Sequence, residues 1–226
     1  MFFCGLDLAQ VGDFSALSIL HYIEPAREEV REEYHTNPYT GNTIKVTEKR
    51  PVNRLDMRPT WHLRHVERWR GVAYADVARQ VSQRLDRLVE PYTLVIDLTG
   101  VGRAAVELIE ATGLRPTRVS IHGGDRVTYA DGVYRVPKRD LVSAVQVALQ
   151  NRALRVAYGQ DWTALVVSEL QNFRIKIDPA TAHDTYSAWR ENDHDDIVLS
   201  VALAVWASEH ANYRVGSVPN PWPHIE

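Results

Sequence analysis

The chain has 226 residues, of which 45% are hydrophobic and 24% charged. These are ordinary values for a globular protein, and at roughly 150 residues per domain the length supports one large domain with an insertion. Lys plus Arg number 26 against 29 Asp plus Glu, a net charge of −3, so bulk positive charge does not hold this protein to nucleic acid and any such contact is local. The single cysteine, Cys4, excludes an internal disulfide framework and a cysteine-based zinc site and fits a reducing compartment.

The apolar start from Met1 to Leu6 is interrupted by Asp7 and lacks a basic lead, so no signal peptide is expected. Residues 2–9 read as a strand and 15–23 as a second, joined through Gly12-Asp13 as a hairpin. Residues 24–60 read as an insertion, acidic at first (Glu24, Glu28, Glu29, Glu32, Glu33) and basic later (Lys45, Lys49, Arg50, Arg54, Arg58). The turn signal from Asn37 to Asn42 between them predicts a two-stranded excursion or a surface loop. Residues 61–69 alternate as a third strand, and Tyr74 to Leu88 has the apolar spacing of a helix.

Thr93 to Leu98 is a near-continuous apolar strand of the kind buried in a parallel sheet. A helix follows from Gly102 to Thr112, closed by Gly113, then a short strand from Arg118 to His122. Residues 126–136 form a hairpin around Asp131-Gly132, with Tyr129 and Tyr134 as a cross-strand pair. Helices are expected from Leu141 to Leu149, with Pro137 in the first turn, and from Asp161, as N-cap, to Gln171. Residues 173–177 read as an edge-type strand and Asp193 to Glu209 as the last helix. Its apolar run from Ile197 to Ala207 is 11 residues, short of the roughly 20 a membrane span needs, so it is a core helix and no membrane partner is expected. The sum is one α/β domain over 1–212, with the excursion at about 24–60 and the hairpin at about 123–136, then a surface tail over 213–226. An antiparallel meander followed by βαβ units gives a mixed sheet with helices on both faces.

Three acidic places stand out. Asp7 ends one apolar strand, Asp97 ends another, and Asp195 and Asp196 open the most apolar helix. A carboxylate among core residues is destabilising unless compensated, so three such places point to convergence on a shared cation. Carboxylate oxygens suit Mg²⁺ and Mn²⁺, and two such ions can clamp the attacking and leaving oxygens of a phosphodiester. Asp7, on a central strand, is the natural bridging ligand. Taken singly, each acid has a plainer use: Asp7 and Asp13 as turn or cap residues, Asp97 as a strand end before Thr99-Gly100, and Asp193 or Asp195 as a helix N-cap. Gly100-Val101-Gly102 holds only a fragment of a phosphate-binding pattern and reads better as a tight turn that exposes Asp97. Asp193 and Asp196 share a helix face, whereas neighbouring Asp195 and Asp196 point about 100° apart, so spacing does not choose between them.

The segments GLDLAQVGDFSAL, LVIDLTGVG and HDDIVLSVALA resemble the three motifs of the nuclease domain of phage terminase large subunits, which has a ribonuclease H-like, RuvC-related fold. The resemblance runs from Phe3 to about His210. It implies a metal-dependent endonuclease that cuts double-stranded DNA during packaging, with two Mg²⁺ or Mn²⁺ ions. On that pattern Asp7, Asp97 and Asp196 are the catalytic, metal-binding carboxylates, Asp195 is an alternative or additional ligand, and Asp13 is a further acid near the metals. Candidate DNA contacts are Arg103 and, on or beside the basic hairpin, Arg126, Arg135, Lys138 and Arg139, although an ordinary charged hairpin has the same pattern. The implied partners are double-stranded DNA, a packaging ATPase, the portal and the small terminase, in the cytoplasm of an infected bacterium. The sequence has no GxxxxGK[ST] phosphate loop, so the ATPase is expected on another chain or in a separate domain, and translocation by this chain alone is not expected.

Other features are weaker. His183 and His194 fall near the acidic cluster and are candidates for proton transfer, although the histidines show no HExxH spacing. Trp61, Trp69, Trp162, Trp189 and Trp206 read as core. Three alternatives carry different consequences. A RuvC-like resolvase shares the fold and acids but cuts four-way junctions. An actin-like nucleotide-binding protein needs two lobes, for which 226 residues leave little room. A catalytically silent DNA-binding module has no use for buried acids.

Overall fold

The computed structural model describes residues 1–9, 13–24, 29–36, 38, 40–50, 58–172 and 195–212. Ten strands and five helices lie within them: β1 (Phe2–Asp7), β2 (Phe14–Ile23), β3 (Glu29–Thr36), β4 (Thr43–Arg50), β5 (Thr60–Arg70), α1 (Tyr74–Leu85), β6 (Tyr92–Asp97), α2 (Gly102–Ala111), β7 (Thr117–His122), β8 (Thr128–Ala130), β9 (Val133–Pro137), α3 (Lys138–Gln150), β10 (Leu154–Val156), α4 (Thr163–Asn172) and α5 (Asp196–Asn212). The expected strand at 173–177, Asp193, His183, His194, Trp189 and the tail lie outside the described residues.

Eight strands form one sheet in the order β10-β5-β2-β1-β6-β7-β9-β8. The early strands make an antiparallel meander, with Asp7 of β1 opposite Ala16 of β2. From β1 outward the pairings to β6, β7 and β9 are parallel, and β8 returns antiparallel to β9. The expected mixed α/β sheet is therefore present. The excursion is a separate two-stranded sheet, with Thr36 opposite Thr43 at its turn. The hairpin turns on Asp131 and Gly132, both with positive φ (53° and 76°), as a two-residue turn matched to strand twist requires. Tyr129 and Tyr134 do pair across it, with ring centroids 4.6 Å apart.

Helices cover both faces. Leu6, Leu17, Ile19, Leu94 and Ile96 pack under α1 and α2. Phe3, Leu20, Val95, Val119 and Val136 pack under α3 and α5. Helix α5 is buried from Ile197 to Ala207, as an all-apolar helix must be. It lies so close to β1 that a Cβ on Gly5 would collide with the Ser200 carbonyl oxygen. Polar groups under α5 are mostly paired: Ser18 and Ser200 hydroxyls lie 2.5 Å apart, and Trp61 Nε1 donates to Ser208 Oγ at 2.6 Å, whereas buried Trp206 Nε1 has no partner among the described residues.

Several boundaries differ from the sequence expectation. β1 ends at Asp7, and Leu8 and Ala9 leave the ladder. α3 starts at Lys138, with Pro137 just before it. α4 starts at Thr163, whose hydroxyl accepts the Gln160 N–H at 3.1 Å. β10 is a three-residue strand too short to carry a pattern, held by parallel pairing to Trp61 and Leu63.

Candidate active site

Alternation sets the site. Phe3, Gly5 and Asp7 share the face of β1 under α5, and Val95 and Asp97 share the same face of β6. The two strands are parallel and in register at Leu6 and Ile96, so Asp7 and Asp97 end neighbouring strands side by side. Asp196 comes to them from the first turn of α5, because α5 crosses this face. All three are buried, at 8%, 5% and 6% exposure. Asp195 precedes the helix and its carbonyl accepts the Leu199 N–H, so it stands at the N-cap position. Its carboxylate takes a different partner, Lys138 Nζ at 3.0 Å, from the start of α3.

Asp97 is not exposed by its turn. Gly100, at φ 85°, provides the sharp bend, and the Thr99 N–H donates to Asp97 Oδ1 at 2.8 Å. Thr99 in turn ties this end to β7, where its hydroxyl accepts the Ile121 N–H at 2.7 Å.

Two residues join the cluster that the sequence analysis did not select. Arg68 on β5 donates from Nη2 to Asp196 Oδ2 at 2.8 Å and lies 3.2 Å from Glu169 Oε1 through Nη1. Its guanidinium stacks on the Phe14 ring, 3.6 Å from the centroid. Glu169, on the buried face of α4, accepts the Ile197 N–H at 3.1 Å, so a carboxylate of one helix holds the first turn of another.

The electrostatics are those of crowded, dehydrated acids. Burial pushes the Asp7 carboxyl well above the usual range, and the charges of Asp97, Asp196 and Asp195 push it further, with Lys138 opposing. Among the described residues no hydrogen bond or ion pair holds its side chain. Burial raises Asp97 too, against the Thr99 hydrogen bonds and Lys138. Asp196 is raised to about 6 by burial, with Arg68 pulling down and Asp13 and Asp195 pushing up. Glu169 is raised to about 7, again by burial first.

The remaining candidates sit around this centre. Asp13 is exposed and accepts the Phe14 N–H at 2.9 Å, close enough to act on Asp196 through its charge. Arg103 is exposed in the first turn of α2, where the helix dipole disfavours a cation. Arg139 pairs with Asp125 at 2.8 Å. Arg135 is exposed and, since Tyr134 and Val136 pack into the α3/α5 core, points from the opposite face of the sheet to the carboxylates. Arg126 lies in the loop ahead of β8. As placed, no three His, Cys, Asp or Glu side chains among the described residues are arranged to enclose a metal ion. Arg68 draws Asp196 toward Glu169 and Lys138 holds Asp195, so the acids converge without closing on one point.

No protein-family profile matches the sequence, and no curated protein does. The fold has clear counterparts among solved structures. The large terminase nuclease from thermophilic phage G20c superposes with a TM-score of 0.55 at 20% identity, over 90% of this chain and 80% of that one. The large terminase from a second thermophilic bacteriophage gives 0.53 at 9% identity, over 91% of this chain and 39% of that one. The chain has the α/β fold of a phage large-terminase nuclease domain.

Proposed function

We propose that this chain is a divalent-metal-dependent endonuclease that cuts double-stranded DNA during phage genome packaging. The observation that carries it is the buried trio Asp7, Asp97 and Asp196 on one sheet face, with no hydrogen bond or ion pair to the Asp7 side chain among the described residues. Buried like charges are retained where function needs them, and the fold likeness to terminase nucleases supplies the reaction.

The donor set suits hard divalent cations, since it consists of carboxylate oxygens on two strands and a helix. Asp7, Asp97 and Asp196 would hold Mg²⁺ or Mn²⁺, with Asp195 as a further ligand and Asp13 at the edge. Bound there, the ions would supply water activation and stabilisation of the departing 3′ oxygen. The chain's own residues hold that site in shape. Central strands fix Asp7 and Asp97, the Thr99 N–H orients Asp97, and Arg68 positions Asp196 against Glu169. Lys138 offsets part of the negative charge.

Duplex DNA would be gripped through its phosphates by Arg103, Arg126, Arg135, Lys138 and Arg139. A packaging ATPase, the portal and the small terminase are the partners this role implies, in the host cytoplasm. No helix among the described residues is long and apolar enough to cross a membrane.

End chemistry tests the reaction. Products of duplex cleavage in Mn²⁺ should carry 5′ phosphate and 3′ hydroxyl ends and be rejoined by DNA ligase. Ends with 3′ phosphate, or no cutting with any divalent ion, would contradict the proposal.

A further inference from the structure

The pairing of Arg68 is uneven. Its guanidinium donates one hydrogen bond among the described residues, from Nη2 to Asp196 Oδ2 at 2.8 Å. Toward Glu169 it makes an ion pair only: Nη1 lies 3.2 Å from Oε1, and that buried oxygen accepts no hydrogen bond. Arg68 Nε is buried and also has no hydrogen-bond partner. A guanidinium and a carboxylate commonly close on each other through two parallel hydrogen bonds. Here a donor and an acceptor of the same pair stand unused, where an unused polar atom is destabilising and calls for a reason.

The surroundings keep both partners in reach of each other. Glu169 accepts the Ile197 N–H on its other oxygen, Oε2, at 3.1 Å, so it holds the backbone one residue beyond Asp196. The Phe14 ring lies 3.6 Å from the Arg68 guanidinium carbon, a contact that keeps the cation on the ring without fixing which acid its N–H groups address. Asp196 is the member out of place for a metal. No three His, Cys, Asp or Glu side chains among the described residues enclose an ion as placed, and Arg68 draws Asp196 toward Glu169.

We propose that the Arg68 pairing is exchangeable: when Asp196 takes a divalent cation, its carboxylate leaves the guanidinium and Arg68 closes on Glu169 through the unused atoms. In the metal-free chain one guanidinium is shared by two carboxylates; after the exchange each carboxylate has its own cation. Glu169 is thus a positioning residue. It does not touch the metal; it receives the cation that Asp196 gives up. Without it, release of Asp196 strands a buried guanidinium, and a stranded buried charge is strongly destabilising. The exchange rests on the metal reading above, whereas the unused atoms belong to the chain alone.

The test measures Mn²⁺ binding to the full chain without DNA, from the electron paramagnetic resonance signal of unbound Mn²⁺, so that cutting is not the readout. The parent, Glu169→Gln, Arg68→Met and the double variant form a cycle, with thermal midpoints to establish that each is folded. Glu169→Gln alone should weaken Mn²⁺ binding about 10–100-fold. In the Arg68→Met chain Asp196 has no guanidinium to leave, so adding Glu169→Gln should change affinity by no more than about twofold. An equal loss in both backgrounds would make Glu169 a ligand or a general charge effect and overturn the exchange, as would parent affinity in Glu169→Gln. A crystal structure of the parent with Mn²⁺ needs no variant to fold. The exchange predicts Asp196 on the ion and Arg68 hydrogen-bonded to Glu169 Oε1. Mn²⁺ bound while Arg68 Nη2 stays 2.8 Å from Asp196 Oδ2 would overturn it and leave the metal reading intact. A parent chain that binds no Mn²⁺ would overturn both.

Discussion

Arg68 and Asp196 are joined at 2.8 Å across the sheet–helix boundary, and Glu169 holds the same guanidinium from behind at 3.2 Å. One cation on an antiparallel strand thus fixes the helix that delivers a candidate metal ligand. Both carboxylates and the arginine are nearly dehydrated, with side-chain exposures of 8%, 6% and 13%.

Replacing Arg68 with Ala leaves two buried acids uncompensated. Loss of one member of a buried ion pair is destabilising by about 3–5 kcal/mol, and that is the expected drop in unfolding free energy by urea titration near neutral pH. Arg68→Lys should recover only part of it, because an ammonium does not reproduce the fork or the Phe14 stack. A loss under about 1 kcal/mol for Arg68→Ala would show that the network is not built as described.

Stability should carry a signature of Glu169. Burial raises its carboxyl to about 7 from an ordinary 4.5. Between those values the folded state holds a proton that the unfolded chain has released. This contribution is full below about pH 4.5 and lost as pH rises through about 7. His62 works the other way in the same window, since burial and Arg64 lower its pKa. The comparison is therefore between parent and Glu169→Gln, each unfolded in urea at pH 5 and pH 8. The parent should lose more stability, or gain less, on going to pH 8 than the variant does. An identical pH response in the two would refute the assignment.

At Gly5 helix α5 lies directly on β1, and a Cβ there would collide with the Ser200 carbonyl, a backbone atom. Gly5→Ala forces the helix away from β1 and should lower stability by about 3 kcal/mol or more, above the usual overpacking penalty. Because Asp196 begins the same helix, cleavage should fall with it. A thermal midpoint within a degree or two of the parent would contradict the packing.

Much of this was legible in the residues. The apolar strands ending in Asp7 and Asp97, and the apolar helix opening at Asp195 and Asp196, marked the acids by pattern, whereas spacing did not choose among Asp193, Asp195 and Asp196, and the turn after Asp97 was expected to expose a carboxylate that is buried. Arg68 was hidden by a register shift. Strict alternation from Trp61 puts positions 63, 65, 67 and 69 on one face and Arg68 on the other. In β5 the pairing moves from Leu63 opposite Leu20 to His65 opposite Ile19, so Arg64 is a bulge and the phase reverses. Val66 and Arg68 then face α5 while Trp69 faces α1. Glu169 did leave a sign, since it lies three residues after buried Val166 on a helix face that should be apolar. The orientation of Arg135 followed from alternation, yet only the sheet order shows which face the carboxylates take.

The most direct test is cleavage of supercoiled plasmid in Mn²⁺, in Mg²⁺ and in EDTA by the parent chain, Asp7→Asn and Asp97→Asn. Asp7→Asn should also unfold at an equal or higher temperature, because it removes a carboxyl whose charged form is disfavoured by burial and by the neighbouring acids. The expected result is metal-dependent linearisation by the parent, none in EDTA, and loss of at least a hundredfold in rate in both folded variants. Full cutting by both variants, or cutting that persists in EDTA, would contradict it.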